Sequence, residues 1–241
     1  MKHFLTASLF CLVIINSSAN AQEFITKGTS LIGGSIGYDQ RKSEDLNLNV
    51  TTLVNQDIIN DFSRFTFAPT YAKAIKDGLM LGGSISITTQ ESEISVQQVN
   101  FTQTDNRSSN TIGFSVFLRR YYEIKGKFGA YIEPRISFSR GSEDRTFDFR
   151  DSSNPTFFQE ETIEATTTTF GGGANLGLYY FISDRFSLET TLANVLISRS
   201  KTNRESESVP NSESSDTDSV LRFQFANTLS FDQILTFNYF F

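Results

Sequence analysis

The chain has 241 residues, 27 Asp+Glu against 21 Lys+Arg, a formal net charge of −6, and only one Cys and one His. That length suits a single domain, and the acidic balance excludes nucleic acid as a partner, because little would neutralise its phosphates. His3 and Cys11 both fall in the first 21 residues, so the remainder cannot carry a Ser-His-Asp or Cys-His site.

Residues 1–21 read as a secretory signal. Lys2 and His3 give a short basic start, Phe4 to Ile15 an apolar run, and Ala19-Asn20-Ala21 a small-x-small cleavage site before Gln22. Cys11 lies inside the apolar run, the wrong place for a lipid-modified cysteine. Taking 21 residues from 241 leaves one domain of 220, residues 22–241, with 20 Lys+Arg against 27 Asp+Glu and a net charge of −7. No stretch of that domain holds the roughly 18 consecutive apolar residues of a spanning helix. Any crossing is therefore expected to be made by strands closed into a barrel, which alone satisfies every backbone group.

Strand alternation begins at Ser30–Gln40, with Ile32, Gly34, Ile36 and Tyr38 on one face. A polar stretch, 42–62, follows. Arg64 to Ile75 sets Phe65, Phe67, Pro69 and Tyr71 against Thr66, Ala68, Thr70 and Ala72, and Lys76-Asp77-Gly78 reads as a tight turn. Leu79 to Gln90 returns with Leu81, Gly83, Ile85 and Ile87 on one face against Met80, Gly82, Ser84 and Ser86. A second polar stretch, 91–109, leads to Asn110–Ile124, where Ile112, Phe114, Val116 and Leu118 oppose Gly113, Ser115, Phe117 and Arg119. After the turn Lys125-Gly126-Lys127, Phe128 to Arg140 alternates Ala130, Ile132, Pro134, Ile136 and Phe138 with Tyr131, Glu133, Arg135 and Ser137. The third polar stretch is 141–165. Thr166 to Ile182, the turn Ser183-Asp184-Arg185 and Phe186 to Arg199 follow, before a fourth polar stretch from Ser200. The chain closes on Phe231 to Phe241, with Leu235, Phe237, Tyr239 and Phe241 on one face.

Connections thus alternate long and short, and every long one falls on the same side. The fold expected is all-β: an eight-stranded antiparallel up-and-down transmembrane β-barrel with short periplasmic turns and long extracellular loops. Ser219 to Asn227 alternates too, and is expected above the membrane, as an extension of the last wall or a hairpin in the fourth loop.

Face polarity supports that reading. The large Phe, Leu, Ile and Tyr side chains share one face, and the other is mostly Gly, Ser, Thr, Ala and Asn, small enough for a narrow lumen. A lipocalin-type soluble barrel is the alternative, with the apolar face inside. Phe114, Ile132, Leu176 and Phe237 distinguish the two, since in the soluble case they would converge on the interior. Four charges fall on the small-residue face, Arg119, Glu133, Arg135 and Glu189, and are expected to pair as a lumen ion network. Lys73 and Arg120 fall on the apolar face near a short turn, where long stems can snorkel to headgroups. Tyr122, Phe128, Tyr180, Phe186 and Tyr239 are expected to form an aromatic girdle at that end. Pro69 and Pro134 each remove a ladder hydrogen bond, so a bulge is expected at each.

With the first strand Lys27-Gly-Thr-Ser-Leu-Ile-Gly-Gly-Ser-Ile-Gly-Tyr38, the segment Gly78-Leu-Met-Leu-Gly-Gly83 and the terminal Phe-Asn-Tyr-Phe-Phe241, the chain resembles the small OmpX/OmpA-like family of eight-stranded outer-membrane β-barrel domains. The resemblance covers the whole domain and rests on pattern, without an invariant motif. It implies that the terminal strand, Leu235, Phe237, Tyr239 and Phe241, is read by the barrel-assembly machinery. The expectation is that no peptidoglycan-binding domain follows, so that only the barrel half of an OmpA-type protein is matched.

Chemical motifs are scarce, and no catalytic, cofactor-binding or metal-ligating residues are expected. Gly171-Gly172-Gly173 lies mid-strand without a following Lys, which favours close strand packing over a phosphate loop. The carboxylates of Ser142-Glu-Asp144, Glu160-Glu161 and Glu205 to Asp218 lack the spaced pattern of a calcium loop and read as solvated loop surface. The expectation is a non-enzymatic, monomeric outer-membrane protein contacting lipid, with a structural or surface-binding role in loops carrying Leu53-Val54, Phe157-Phe158 and Ile163. An extracellular ligand is not identified by these residues. A small-solute channel and a secreted soluble ligand-binding barrel are the alternatives.

Overall fold

A computed structural model describes residues 25–49, 54–97, 101–151, 158–206, 214–225 and 236–241. The expected signal, residues 1–21, lies outside the described residues, as does Leu235. In chain order the strands are β1 (Ser30–Asn49), β2 (Val54–Lys76), β3 (Leu79–Gln97), β4 (Phe101–Lys125), β5 (Phe128–Asp151), β6 (Phe158–Phe181), β7 (Phe186–Ser206), β8 (Ser214–Phe225) and β9 (Thr236–Phe240). Each pairs antiparallel with its neighbours in the order β6-β5-β4-β3-β2-β1-β9-β7-β8, and a further β6–β7 pairing closes the ring at the level of β9, while β8 pairs with β7 alone among the described residues. This is an up-and-down barrel of eight staves.

The eighth stave is built from two pieces. The short β9 pairs with Phe186–Glu189 at the foot of β7 and with Leu31–Ser35 of β1. Above it, β8 pairs with Ala193–Arg204 of β7. Of the Ser219–Asn227 segment residues 219–225 are described; they extend the last wall, one of the two expected alternatives, but at a lower level than expected. Phe223 lies opposite Val195 and Leu221 opposite Ile197, level with the apolar stretch of β7. Both are 60 % exposed on the outer surface.

The long loops expected at 42–62, 91–109 and 141–165 are largely strand. β1 pairs with β2 as far as Asn49↔Val54, β3 with β4 as far as Gln97↔Thr102, and β4 with β5 from Phe101↔Asp151. The carboxylates of Ser142–Asp144 and Glu160–Glu161, and Ile163, therefore sit on β5 and β6. The physical reason is that antiparallel ladders tolerate polar residues on both faces where both are wet. Ser and Thr pair across strands there, as Ser95 does with Thr104 at 3.5 Å, and likewise at the upper ends of β6 and β7, where Thr167 meets Thr202 and Thr169 meets Ser200 at 2.9 Å.

Bulges occur elsewhere than at the prolines. Pairing of β2 with β3 lapses between Phe67↔Ile87 and Thr70↔Ser84 and resumes in the same register, while Pro69 keeps its place opposite Gly34. Pro134 behaves alike: pairing lapses between Phe117↔Arg135 and Arg120↔Ile132 without a shift. A missing N–H removes a bond but requires no extra residue. The register does shift at Ala74/Lys76 and Glu123/Lys125, each just before a turn glycine of positive φ, Gly78 (66°) and Gly126 (54°). That combination is the bulge that accompanies a short hairpin turn. A third shift lies between Leu176↔Ala193 and Gly177↔Thr191, leaving Leu192 unopposed. Leu192 swaps the faces of β7: Glu189 and Thr191 point inward below it, Asn194 above it.

Candidate functional site

The outer surface carries a continuous apolar belt. Ile36 is 69 % exposed, Phe114 54 %, Ile136 60 %, Leu176 47 % and Phe237 62 %, and Ile132 is half-buried on the same face. On β5 the belt runs from Phe128 to Phe138. The roughly ten steps between them, at about 3.3 Å each and tilted about 40°, give a belt about 25 Å tall. Aromatic rings gather at its short-turn edge, where Phe128 lies opposite Tyr180 and the Phe186 and Tyr239 rings are 4.9 Å apart. Tyr239 lies 6.0 Å from Phe241, and Arg185 donates to its hydroxyl at 3.4 Å. Lys73 is exposed, whereas Arg120 is buried and donates to the Asp77 carbonyl at 3.0 Å. The expectation that Arg120 reaches outward to headgroups is thereby corrected, because the turn backbone supplies its acceptor.

Inside, the short-turn end is filled. Tyr121, Tyr131, Tyr179, Phe181 and Phe240 are buried with Met80, Phe117 and Ile25. Their rings form a chain across the lumen: Tyr121–Tyr179 at 5.2 Å, Tyr179–Phe181 at 5.7 Å and Phe181–Phe240 at 5.1 Å. Ile25 is drawn in by the segment before β1, where Gly78 N–H donates to the Ile25 carbonyl at 2.8 Å and Lys27 N–H to Asp77 Oδ1 at 2.7 Å. Small residues make the room. A Cβ on Gly177 would lie 2.4 Å from Tyr131 Cζ, and one on Gly129 2.1 Å from the Tyr179 hydroxyl.

On this aromatic floor sit the four charges singled out by sequence. Arg119 donates through Nε (2.7 Å) and Nη2 to Glu133 Oε2, and through Nη1 to Glu189 Oε2 and the Tyr121 hydroxyl (3.1 Å). Tyr121 in turn donates to Glu189 Oε1 at 2.7 Å, and Asn175 to Glu133 Oε1 at 3.0 Å. Both carboxylates are almost fully buried. Arg135 stands apart: its nearest carboxylate oxygen, Glu133 Oε1, is 4.0 Å away, and it donates to Ser115 at 2.7 Å. The structure brings Arg119, Glu133 and Glu189 into direct contact and leaves Arg135 one step above them.

Above the network the lumen opens into a cup of about 800 Å³. Its lining is mostly Ser, Thr and Arg, with Asp39 and Glu133 as the acidic groups. Farther up, Arg145 binds Asp105 bidentately (Nε 2.8 Å, Nη2 2.6 Å) and lies 3.9 Å from the Phe147 ring centroid. The Arg145 hydrogen bonds hold the Asp105 carboxyl below its ordinary value, with Arg107 adding to the effect. Among the described residues no group of three or more His, Cys, Asp or Glu could hold a metal ion.

The C-terminal strand divides its side chains cleanly. Phe237, Tyr239 and Phe241 face outward, while Asn238 and Phe240 are buried in the lumen. Gly171 to Gly173 lie within β6, and a Cβ on Gly173 would sit 2.1 Å from the Val195 carbonyl, so close strand packing accounts for them. Sequence reasoning missed the plug. Tyr121, Tyr131 and Tyr179 occupy inward positions otherwise held by small residues, and that departure was the available signal.

No family model and no curated protein matches the chain. Among solved structures it is similar to the crystal structure of the outer membrane protein OprG from Pseudomonas aeruginosa, at 14 % identity, with 90 % of this chain and 97 % of that chain covered and a TM-score of 0.41.

Proposed function

We propose that the chain is a non-enzymatic integral outer-membrane barrel, closed at its periplasmic end and exposing its extended hairpins to the outside. The observation that carries this reading is the orientation of its large apolar side chains. A closed barrel with Phe114, Ile136 and Phe237 turned outward over a belt about 25 Å tall needs a hydrocarbon solvent. Water would impose on each such side chain a cost of about 1.5–3 kcal/mol. The polar interior and the aromatic edge favour the same solvent.

Two rivals fare worse. A soluble ligand-binding barrel requires these residues inside. A channel requires an open path, whereas the ring chain from Tyr121 to Phe240 and the network above it occupy the lumen. The kinship proposed is with small OmpX/OmpA-like barrels. The proposed partners are outer-membrane lipid, the barrel-assembly machinery acting on Phe237, Tyr239 and Phe241, and an extracellular ligand at the hairpin ends. A monomer suits the geometry, because β1 pairs with β9 and β9 with β7, which closes the ring at its short-turn end. Alkaline carbonate extraction of membranes tests the reading. The protein should stay in the pellet and enter solution only with detergent, and release by carbonate alone would overturn the proposal.

A further inference from the structure

We propose that the cup above the ion network is a binding site for a small organic anion that also carries hydroxyl groups, of the size and chemistry of a sugar phosphate. The cup is a dead end, because the network and the plug seal its floor, so an entering solute can be held but not passed. Its charge runs against that of the whole protein. The chain is net acidic, yet five arginines and two carboxylates line the cup, with Arg41 held by Asp39. Arg119 is engaged by Glu133 and Glu189 together.

Arg135 is a cation with donors to spare. It is 31 % exposed to the cup, and its carboxylate neighbour is 4.0 Å off. Its Nη2 donates to Ser115 at 2.7 Å and, at 3.4 Å, to Ser84, and the two hydroxyls pair with each other at 2.7 Å. An anion arriving here gains a charge-assisted contact that the apo protein leaves unmade. Above Arg135, the inward positions of β5 and β3 continue as Ser137, Ser139, Ser86 and Thr88, which line the same cup. Those hydroxyls suit a polyol attached to the anionic group.

The inference depends on barrel geometry and not on location, so binding in detergent micelles is judged separately from carbonate extraction. Isothermal titration of the purified full chain with D-glucose 6-phosphate should show saturable binding to one site. Arg135→Gln should weaken it at least tenfold, Arg135→Lys should restore part of it, and Arg199→Gln, on the outer surface, should leave it unchanged. Retained heat-modifiable gel migration certifies that each variant is folded. Inorganic phosphate and D-glucose should each bind more weakly than the conjugate. No binding of glucose 6-phosphate, or equal binding by folded Arg135→Gln, would overturn the proposal. Equal affinity for phosphate alone would overturn its polyol half.

Discussion

Arg119 on β4 and Glu189 on β7 stand 70 residues apart in sequence and meet inside the barrel, with Glu133 on the other side of the same guanidinium. One cation thus balances two buried carboxylates and ties three staves together. Removing a partner from such a group strands a buried charge, typically at a cost of about 3–5 kcal/mol. Arg119→Leu strands two carboxylates, whereas Glu189→Leu leaves Arg119 still paired with Glu133. Urea unfolding in detergent should therefore rank Arg119→Leu as the more destabilising. The triple change Arg119→Leu, Glu133→Gln, Glu189→Gln should recover much of the loss. The reverse order would show that the network is not a balanced unit.

Asp105 and Arg145 join β4 to β5 beyond the apolar belt, and their pairing makes the outer hairpin pH-sensitive. The Arg145 hydrogen bonds lower the Asp105 pKa below 3.8. A depressed carboxylate contributes stability that is fully present above the unfolded value and is lost as pH falls through the folded one. Carboxyl carbon shifts of Asp105 should titrate with a midpoint below 3.8, and Arg145→Met should raise that midpoint. An unshifted midpoint in both proteins would refute the pairing.

Glycines of β6 divide by what lies beside them. A Cβ on Gly177 would meet the Thr190 carbonyl at 2.3 Å and the Tyr131 ring, whereas one on Gly172 meets only the Arg135 carbonyl at 3.6 Å. Gly177→Ala should destabilise by about 1–3 kcal/mol as an overpacked site. Gly172→Ala should change stability little. Refolding yield followed by heat-modifiable migration checks the contrast.

The last two residues separate packing from targeting. Phe240 is buried in the plug and Phe241 is 61 % exposed outside. Phe240→Ala should cost about 3–5 kcal/mol in the refolded protein. Phe241→Ser should leave that stability nearly intact and lower the amount assembled in cells. Equal assembly in cells with Phe241→Ser would remove the targeting role from that residue.

Much of the barrel was legible because alternation repeats wherever one face is apolar. Phe114, Val116 and Leu118 against Ser115 and Arg119 suffice to assign the faces of β4. The ion network was legible from residue type alone, since Arg119, Glu133 and Glu189 are the wrong residues for a small-residue face unless they meet. Three things were not. Beyond Gln40, Gln90 and Arg140 polar residues dominate, and the short alternations that return at Leu46/Leu48, Ile94/Val96 and Phe147/Phe149 are separated from the main apolar runs, so the continuing ladder is hard to read from hydropathy. Leu192 shifts β7 by one residue, which a run of Thr190, Thr191, Ala193 and Asn194 conceals. The eighth stave is interrupted in sequence, so the level of Leu221 and Phe223 depends on pairing with β7 rather than on chain order.

Everything argued about location depends on which solvent meets the outward face, and the chain offers a clean reporter because it has no Trp. Single-Trp variants Phe114→Trp and Phe117→Trp, three residues apart on β4, place one indole outside and one inside. Reconstituted in vesicles with brominated acyl chains, Trp fluorescence at position 114 should be strongly quenched and that at 117 spared. Quenching at 117 with none at 114 would contradict the account.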